Sequence, residues 1–437
     1  MKALIVNSED RRGGAARAAH RLHHALRAIG VDARMLVQVK HGDEASVVGP
    51  ANAWELLTAP LRPAADLLPV LAYRRRSKAT FYPGWLPDRM PRRAAGLAPD
   101  VVHLHWITGG AVNVGNFRRF GRPLVWTLHD MWAFTGGCHY DQGCGRFAEG
   151  CGRCPLLGSS REWDLSRLGW RRKAKAYPRL PLAVVTPSRW LGDLAMRSPL
   201  LGEFPVSVIA NAIDTAVYRP LDKSMARDLL GLPKDRRIVL FGALRATSET
   251  RKGYRYLVEA LRRMAKSPAG AGAMAMVVGA SPPATPPDLG LACAFLGTLG
   301  DDLSMAIAYS AADVFVAPSE QENLSNTVLE ALACGTPSVA FDIGGMPDMI
   351  EHRANGYLAA AFEVEDLPLW LRWVLEDGPP RGTLAARARE KVLAEFGPET
   401  IARRHLSLYE TVLNAAAAAH ADGGRQQRGL RDPAQPD

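Results

Sequence analysis

Apolar residues along this chain fall into short unbroken runs separated by longer stretches of helical periodicity. The first run, Ala3–Val6, is followed by Gly13-Gly14 and then by Ala15–Ile29, where Leu22, Leu26 and Ile29 recur at helical spacing. The order repeats later. Arg237–Gly242 is apolar and β-prone, Gly253 follows, and Tyr256, Leu257, Ala260, Leu261 and Met264 trace a helix face. Other runs predict strands over Val101–Trp106, Leu124–Leu128, Leu182–Val185 and Val206–Ile209, then over Ala275–Val278, Ala294–Leu296, Val314–Ala317 and Ser338–Phe341. Unbroken apolar runs of this length are the pattern of parallel strands covered on both faces. A strand, a glycine-bearing loop and a helix opening each half predict two doubly wound α/β domains.

The patterning lapses at Asn211–Pro220, which places the boundary there: a first domain over 1–210 and a second over 211–395. A C-terminal helix over 396–415 is expected to return to the first domain. The stretch 416–437, rich in Ala and then Gly, Gln, Arg and Pro, is expected to be disordered. Residues 51–93 stand apart. Trp54, Leu56, Leu57, Leu61, Leu67, Leu68, Val70 and Leu71 precede a basic cluster, Arg74–Lys78, and then Phe81, Tyr82 and Trp85. That mixture suits either an insertion packed on its own domain or a surface resting on an anionic membrane.

Composition narrows the class. The 437 residues are 47% apolar and 22% charged, as in soluble globular proteins, which excludes a wholly disordered or fibrous chain. No apolar run approaches the roughly 20 residues of a spanning helix. The N-terminal run stops at Asn7, too early for a signal-peptide core. A cytoplasmic protein is expected, working at the inner face of the membrane if residues 51–93 dock there. Charge is uneven: residues 1–210 hold 30 Lys/Arg against 16 Asp/Glu, and the remainder 24 against 28. The basic half is suited to an anionic partner.

The most informative stretch is Pro318-Ser-Glu-Gln-Glu-Asn-Leu-Ser-Asn-Thr-Val-Leu-Glu-Ala-Leu-Ala-Cys-Gly-Thr-Pro337. A strand ends, a polar loop carries Glu322, and a helix begins near Asn326 and breaks at Gly335-Thr-Pro337. A loop running into a helix N-terminus offers free N–H groups and a positive dipole end to a phosphate. Glu330, two turns along, can accept hydrogen bonds from the vicinal hydroxyls of a ribose. Two glutamates at this spacing are equally compatible with an ordinary solvated loop and helix.

This segment resembles the Glu-x7-Glu region of retaining family 4 glycosyltransferases of the GT-B fold (glycosyl transferases group 1, polysaccharide-biosynthesis type). Other parts agree in order: Gly13-Gly14-Ala-Ala-Arg with the Gly-rich loop, Val125-Trp-Thr-Leu-His129-Asp130 with the strand ending in an active-site His, and Val208–Asp214 with the linker. Arg251-Lys252-Gly253, Phe295-Leu-Gly297, Ala311-Ala-Asp313 and Gly344-Gly345-Met-Pro-Asp348 are also family-like. The resemblance covers roughly residues 1–410. It implies two Rossmann-like domains facing across a cleft and transfer of a sugar, with retention, from a nucleotide-sugar donor to a glycan or lipid-linked glycan. Exopolysaccharide, capsule or lipopolysaccharide assembly is the setting it implies.

On that resemblance His129, Lys252 and Glu322 are catalytic candidates. The donor-binding set is Gly14, Arg245, Arg251, Lys252, Gly297, Asn323, Leu324, Ser325, Asn326 and Glu330. His103, His105 and Asp130 are acceptor-side candidates, the two histidines sharing one side of a strand end. Three departures stand out: Ala243 replaces the family's Arg, so that Arg245 or Arg251 must supply the guanidinium; Asn323-Leu324-Ser325 replaces Gly-Phe-Gly; and Ala210 replaces the linker Pro. No Asp-x-Asp occurs, which fits phosphate stabilisation by protein groups and no cofactor required for catalysis. Without the resemblance, His129 reads as a hydrogen-bonded strand-end His.

Four of the six cysteines lie close together: Cys138, Cys144, Cys151 and Cys154. The Cys151-Gly-Arg-Cys154 spacing suits a structural zinc; reduced thiols in an ordered loop and a conditional disulfide remain open. Two other readings of the chain compete with sugar transfer. One is a nucleotide-sugar epimerase on the same fold. The other is a basic, zinc-knuckle nucleic-acid binder, disfavoured because the basic excess forms no dense Lys/Arg stripe with stacking aromatics.

Overall fold

The structure, a computed structural model, describes residues 1–242, 249–279, 288–363 and 365–429. It divides into two compact units. One comprises Met1–Thr186, Gly192–Ile209 and the chain from Ala402 onward; the other comprises Pro187–Leu191 and Ala210–Ile401.

The first unit is built on a seven-stranded sheet. Its strands are β1 (Lys2–Glu9), β2 (Asp32–Val39), β3 (Val47–Val48), β4 (Val101–Leu104), β5 (Leu124–Thr127), β6 (Leu182–Thr186) and β7 (Val206–Val208), in the order β3-β2-β1-β4-β5-β6-β7. All pairings are parallel. Ile5, Val6, Val101, Val102, Val184 and Val185 have no exposed surface. β2 escaped the sequence reading because exposed Asp32 and Arg34 interrupt its apolar run. The first helix, Gly14–Ala28, buries Ala16, Ala18, Ala19, Leu22, Ala25 and Leu26. Its Ala-rich sequence favours helix intrinsically, and its apolar stripe faces the sheet. Gly13 caps it with a positive φ of 90°, a conformation that glycine adopts without strain.

The second unit carries β8 (Arg237–Gly242), β9 (Ala273–Val278), β10 (Ala292–Phe295), β11 (Val314–Ala317), β12 (Ser338–Phe341) and β13 (Gly356–Ala359), in the order β10-β9-β8-β11-β12-β13. These pairings too are parallel. Helices Tyr254–Ala265 and Asn326–Ala333 supply Leu257, Leu261, Val328 and Leu329 to its core. The two doubly wound α/β domains read from the sequence are present. In each sheet the order reverses once, between β1 and β4 and between β8 and β11. Ligands of open parallel sheets bind beyond the strand ends at such reversals.

The last helix runs Pro398–Gly429, where the sequence reading ends it at 415. From Ala402 it belongs with the first unit, where Tyr409 is fully buried. Residues 51–93 form a succession of short helical pieces: Ala53–Thr58, Ala59–Leu61, Arg62–Asp66, Leu68–Ala72 and Met90–Ala95. Buried Asp66 ties them down by accepting from the Gly84 and Trp85 amides, each at 3.1 Å. Trp54, Leu56, Leu57, Leu61, Leu68 and Leu71 are each more than half exposed. Among the described residues no helix is long and apolar enough to cross a membrane.

Candidate active site

In the second unit the loop after β11 and the segment after β8 meet at the strand-order reversal. Glu322 is buried there. Lys252 Nζ donates to its Oε2 at 2.5 Å, and Arg251 Nη1 to the same oxygen at 3.3 Å. Arg251 also donates to the Gln321 carbonyl at 2.8 Å, while its own carbonyl accepts from the Glu320 amide. Burial pushes the Glu322 carboxyl up, but the adjacent Lys252 and Arg251 charges and hydrogen bonds outweigh it and hold the group below its ordinary value. A buried carboxylate persists only when paired in this way. The arrangement sets two cations, from the segment that leads into the helix Tyr254–Ala265, against the loop that leads into the helix Asn326–Ala333, where Ser325 makes no side-chain cap.

Close approach of backbone holds the loop in place. Gly344 and Gly345 pack so tightly against it that a Cβ at Gly344 would collide with the Glu322 carbonyl oxygen, and one at Gly345 with that of Asn323. The Gly345 amide donates to Glu322 O at 3.1 Å. Asn323 Oδ1 accepts from Ser188 Oγ at 2.6 Å, Leu324 enters the core, Ser325 Oγ pairs with Thr327 Oγ1, and Asn326 Oδ1 accepts from Asn211 Nδ2 at 3.1 Å. Glu330 is almost wholly buried and accepts from the Tyr309 hydroxyl at 3.1 Å. Gly297 has a left-handed φ of 66° and open space around its Cα, and its carbonyl accepts from the Gly279 amide at 2.7 Å. Arg245 lies outside the described residues.

The first unit assembles a second group of side chains at the ends of β1, β4 and β5. Gly14 is exposed at the start of the first helix. His129 follows β5, and its Nε2 lies 3.0 Å from His105 Nδ1, the two rings being stacked. Burial, only partly opposed by the Asp130 charge, pushes His129 down to about 4. It is therefore a neutral imidazole near pH 7, able to donate or accept a hydrogen bond rather than act as a cation.

Two acceptor-side expectations need correction. His103 is wholly buried, with Nδ1 at 2.6 Å from the Tyr409 hydroxyl and Nε2 at 2.7 Å from Thr127 Oγ1. Both ring nitrogens are used inside the unit, because His103 sits within the central strand β4 and His105 lies just beyond its end. Asp130 is likewise turned inward. Oδ2 accepts from His139 Nδ1 at 2.6 Å and from Trp106 Nε1 at 3.0 Å, and Oδ1 accepts from the Trp132 amide at 2.8 Å. It orders the segment after β5 instead of facing an acceptor. His139 was missed by the sequence reading: its buried Nε2 makes no hydrogen bond, and its link to Asp130 spans a loop that no periodicity reveals. Lys173, buried beneath the same segment, donates to the Trp132 and Thr135 carbonyls and lies over the Trp132 ring.

The four clustered cysteines are free thiols. Cys138 and Cys154 pack with Val70, Phe81, Leu156 and Leu157 in a small apolar cluster. Burial pushes the thiols up, that of Cys151 to about 12. Among the described residues, the group whose three ligand atoms lie within 4.8 Å of one another is His20, His24 and Glu44; no three of these cysteines meet that spacing. Cys138 and Cys154 pack in apolar surroundings, yet the four thiols lie near enough for an ionised one to be disfavoured by its neighbours.

Residues 12–217 match the family described as Glycosyltransferase Family 4, and residues 235–377 match Glycosyl transferases group 1. The D-inositol 3-phosphate glycosyltransferase of Thermobispora bispora is 28% identical over 340 residues, covering 72% of this chain and 71% of that one. The protein of the same name from Mycobacterium tuberculosis is 26% identical over 395 residues, covering 88% and 72%. Among solved structures, a sucrose-phosphate synthase from Thermosynechococcus elongatus has a TM-score of 0.65 at 20% identity, covering 95% of this chain and 99% of that one. HepE of Anabaena, solved in complex with UDP and glucose, has a TM-score of 0.62 at 19% identity, covering 94% and 100%. These likenesses match the two parallel sheets to the GT-B fold. With the two family matches spanning most of the sequence between them, one over each half, the chain belongs to the group 1, family 4 glycosyltransferases.

Proposed function

We propose that this chain transfers a sugar from a nucleotide-sugar donor to a glycan or lipid-linked glycan acceptor, with retention at the anomeric carbon, in the assembly of a surface polysaccharide. The observation that carries this reading is the buried Glu322 ion-paired to Lys252 and Arg251 at the β8/β11 reversal. In the reaction, the bond from the anomeric carbon to the donor's phosphate oxygen breaks and its electron pair leaves with the nucleoside diphosphate. The acceptor oxygen bonds to that carbon on the same face and passes its proton to the departing phosphate oxygen. Negative charge grows on the phosphate, so cations and N–H groups fixed there lower the barrier. Lys252 and Arg251 supply the charge, the amides at Leu324–Asn326 supply donors, Glu322 orients the sugar, and Glu330 accepts from the ribose. In the first unit His129 is the catalytic candidate, a neutral hydrogen-bonding imidazole held by His105.

The acceptor side is read from the first unit. Its basic excess suits a phosphate-bearing acceptor, and the curated relatives carry the name of enzymes acting on an inositol phosphate. The exposed apolar residues of 53–72 beside Arg74–Lys78 suit an anionic lipid surface, where a lipid-linked acceptor would be met.

The deciding experiment is a thermal-shift panel of the purified chain against UDP, GDP, ADP, CMP and their common sugar conjugates. A selective rise in melting temperature, abolished in Glu330→Ala, supports donor binding in the second unit and names the base. No shift with any nucleotide sinks the assignment.

A further inference from the structure

The first helix and the loop between β2 and β3 bring together a side-chain group that sugar transfer does not use. His20 and His24, four residues apart, lie on one face of the helix Gly14–Ala28. Glu44, in the loop before β3, reaches both. Its Oε2 is 3.0 Å from His20 Nε2 and 3.1 Å from His24 Nε2, and the two nitrogens are 3.3 Å apart. In a tetrahedral site with ligands about 2.0–2.1 Å from the metal, neighbouring ligand atoms are separated by about 3.3 Å. All three distances fall within a few tenths of an ångström of that edge length.

A second observation comes from His23. It is wholly buried, and its Nε2 lies 3.2 Å from the Ala33 carbonyl. A carbonyl only accepts, so Nε2 carries the proton and Nδ1 presents a lone pair. That Nδ1 has no hydrogen-bond partner and faces Glu44 Oε1 at 3.7 Å. A lone pair directed at a carboxylate is unfavourable unless a cation lies between or beside them. The Ser46 hydroxyl, donating to Glu44 Oε1 at 2.5 Å, fixes the carboxylate so that Oε2 stays turned to the two imidazoles. Such an outer hydrogen bond is the usual support of a metal-bound carboxylate.

We propose that His20, His24 and Glu44 bind a divalent first-row transition metal of the zinc class, with His23 Nδ1 or solvent completing the coordination. Two imidazoles and one carboxylate select such an ion over calcium or magnesium, which take all-oxygen shells. His24 is half exposed, so the ion has a route from solvent. The metal pins the middle of the first helix to the β2–β3 loop. Because that helix begins at Gly13-Gly14, the pin steadies the Gly-rich loop from a distance of two turns. It is a structural site and takes no part in the transfer itself.

The test uses the full chain stripped with a chelator. Co2+ is titrated and followed by its visible absorption; bound zinc is counted by mass spectrometry after dialysis. One equivalent should bind with the intense bands of a tetrahedral ion and without thiolate charge transfer, raising the melting temperature. The double variant His20→Ala/His24→Ala should lose that equivalent while keeping the melting temperature of the stripped wild-type chain to within a few degrees. Ser46→Ala should keep the site but weaken it by roughly tenfold to a hundredfold. Absence of saturable Co2+ or Zn2+ binding overturns the proposal. So does binding that survives the double variant, or cobalt bands of thiolate character, which would move the metal to the cysteines.

Discussion

Glu322 carries two cations in a buried place, and that single carboxylate holds Lys252 and Arg251. Under the proposed function, a nucleoside diphosphate arriving at the loop would compete with Glu322 for them. Lys252→Ala should therefore lower kcat by about 100- to 1,000-fold with a smaller change in donor KM, read from steady-state kinetics; an unchanged kcat would remove Lys252 from the reaction. Tyr309→Phe removes the hydroxyl that holds Glu330 and should weaken donor binding several-fold in calorimetry, with turnover at saturation little affected. The buried histidines give a pH signature. His129 is pushed down to about 4, and His103 and His105 are also held down by burial. Between about pH 6.5, where an unfolded His takes up a proton, and pH 4, the unfolded chain binds more protons than the folded one. Stability should fall as pH is lowered through that window. Denaturant unfolding across it should show the slope, and His129→Gln should flatten it. Glu322 acts in the same direction lower down: its folded value is depressed, so its contribution is complete above the ordinary carboxylate range and lost as pH falls through the lowered value. At this scale Glu322, Glu330 and Lys252 were legible because they sit in a local order of strand, loop and helix. The inward turn of His103 and Asp130 was not, because the side chains that pair with them, Tyr409 and Thr127 for the one and His139 and Trp106 for the other, lie far along the chain or across a loop.

At the scale of elements, the site depends on a backbone contact that leaves no apolar signature. The Gly344-Gly345 turn backs the Glu322 loop, and any side chain there must displace it. Gly345→Ala should destabilise the second unit by roughly 2–4 kcal/mol and raise donor KM, measured by thermal unfolding and nucleotide titration. A variant with wild-type values for both would show that the loop has room to move. The strands that lie inside the sheets were readable from their apolar runs, since β4, β5, β6, β11 and β12 are covered on both faces. β2 was not, because Asp32 and Arg34 are exposed along it. β13 lies at a sheet edge with Tyr357 and Leu358 only partly covered, so its run was too short and too mixed to read.

Over the whole molecule, the basic excess and most of the exposed large apolar side chains fall in the first unit. If residues 53–78 rest on anionic lipid, the chain should sediment with vesicles rich in phosphatidylglycerol and not with neutral ones, and salt should release it. Leu57→Asp with Arg75→Ser should abolish sedimentation while leaving transfer to a soluble acceptor intact; equal binding to neutral vesicles would overturn the electrostatic part of this reading. The class and count of the domains, the phosphate-suited loop and the family could be read along the chain. Each is written in short-range order: apolar runs of strand length, glycines at turns, and glutamates placed by helical spacing. Which candidates stand together follows from the folding of the chain. It joined Lys252 and Arg251 to Glu322 across 70 and 71 residues, turned His103 and Asp130 inward, and gathered His20, His24 and Glu44. Burial and long-range hydrogen bonds set those outcomes, and both depend on which strands the folded sheet brings side by side.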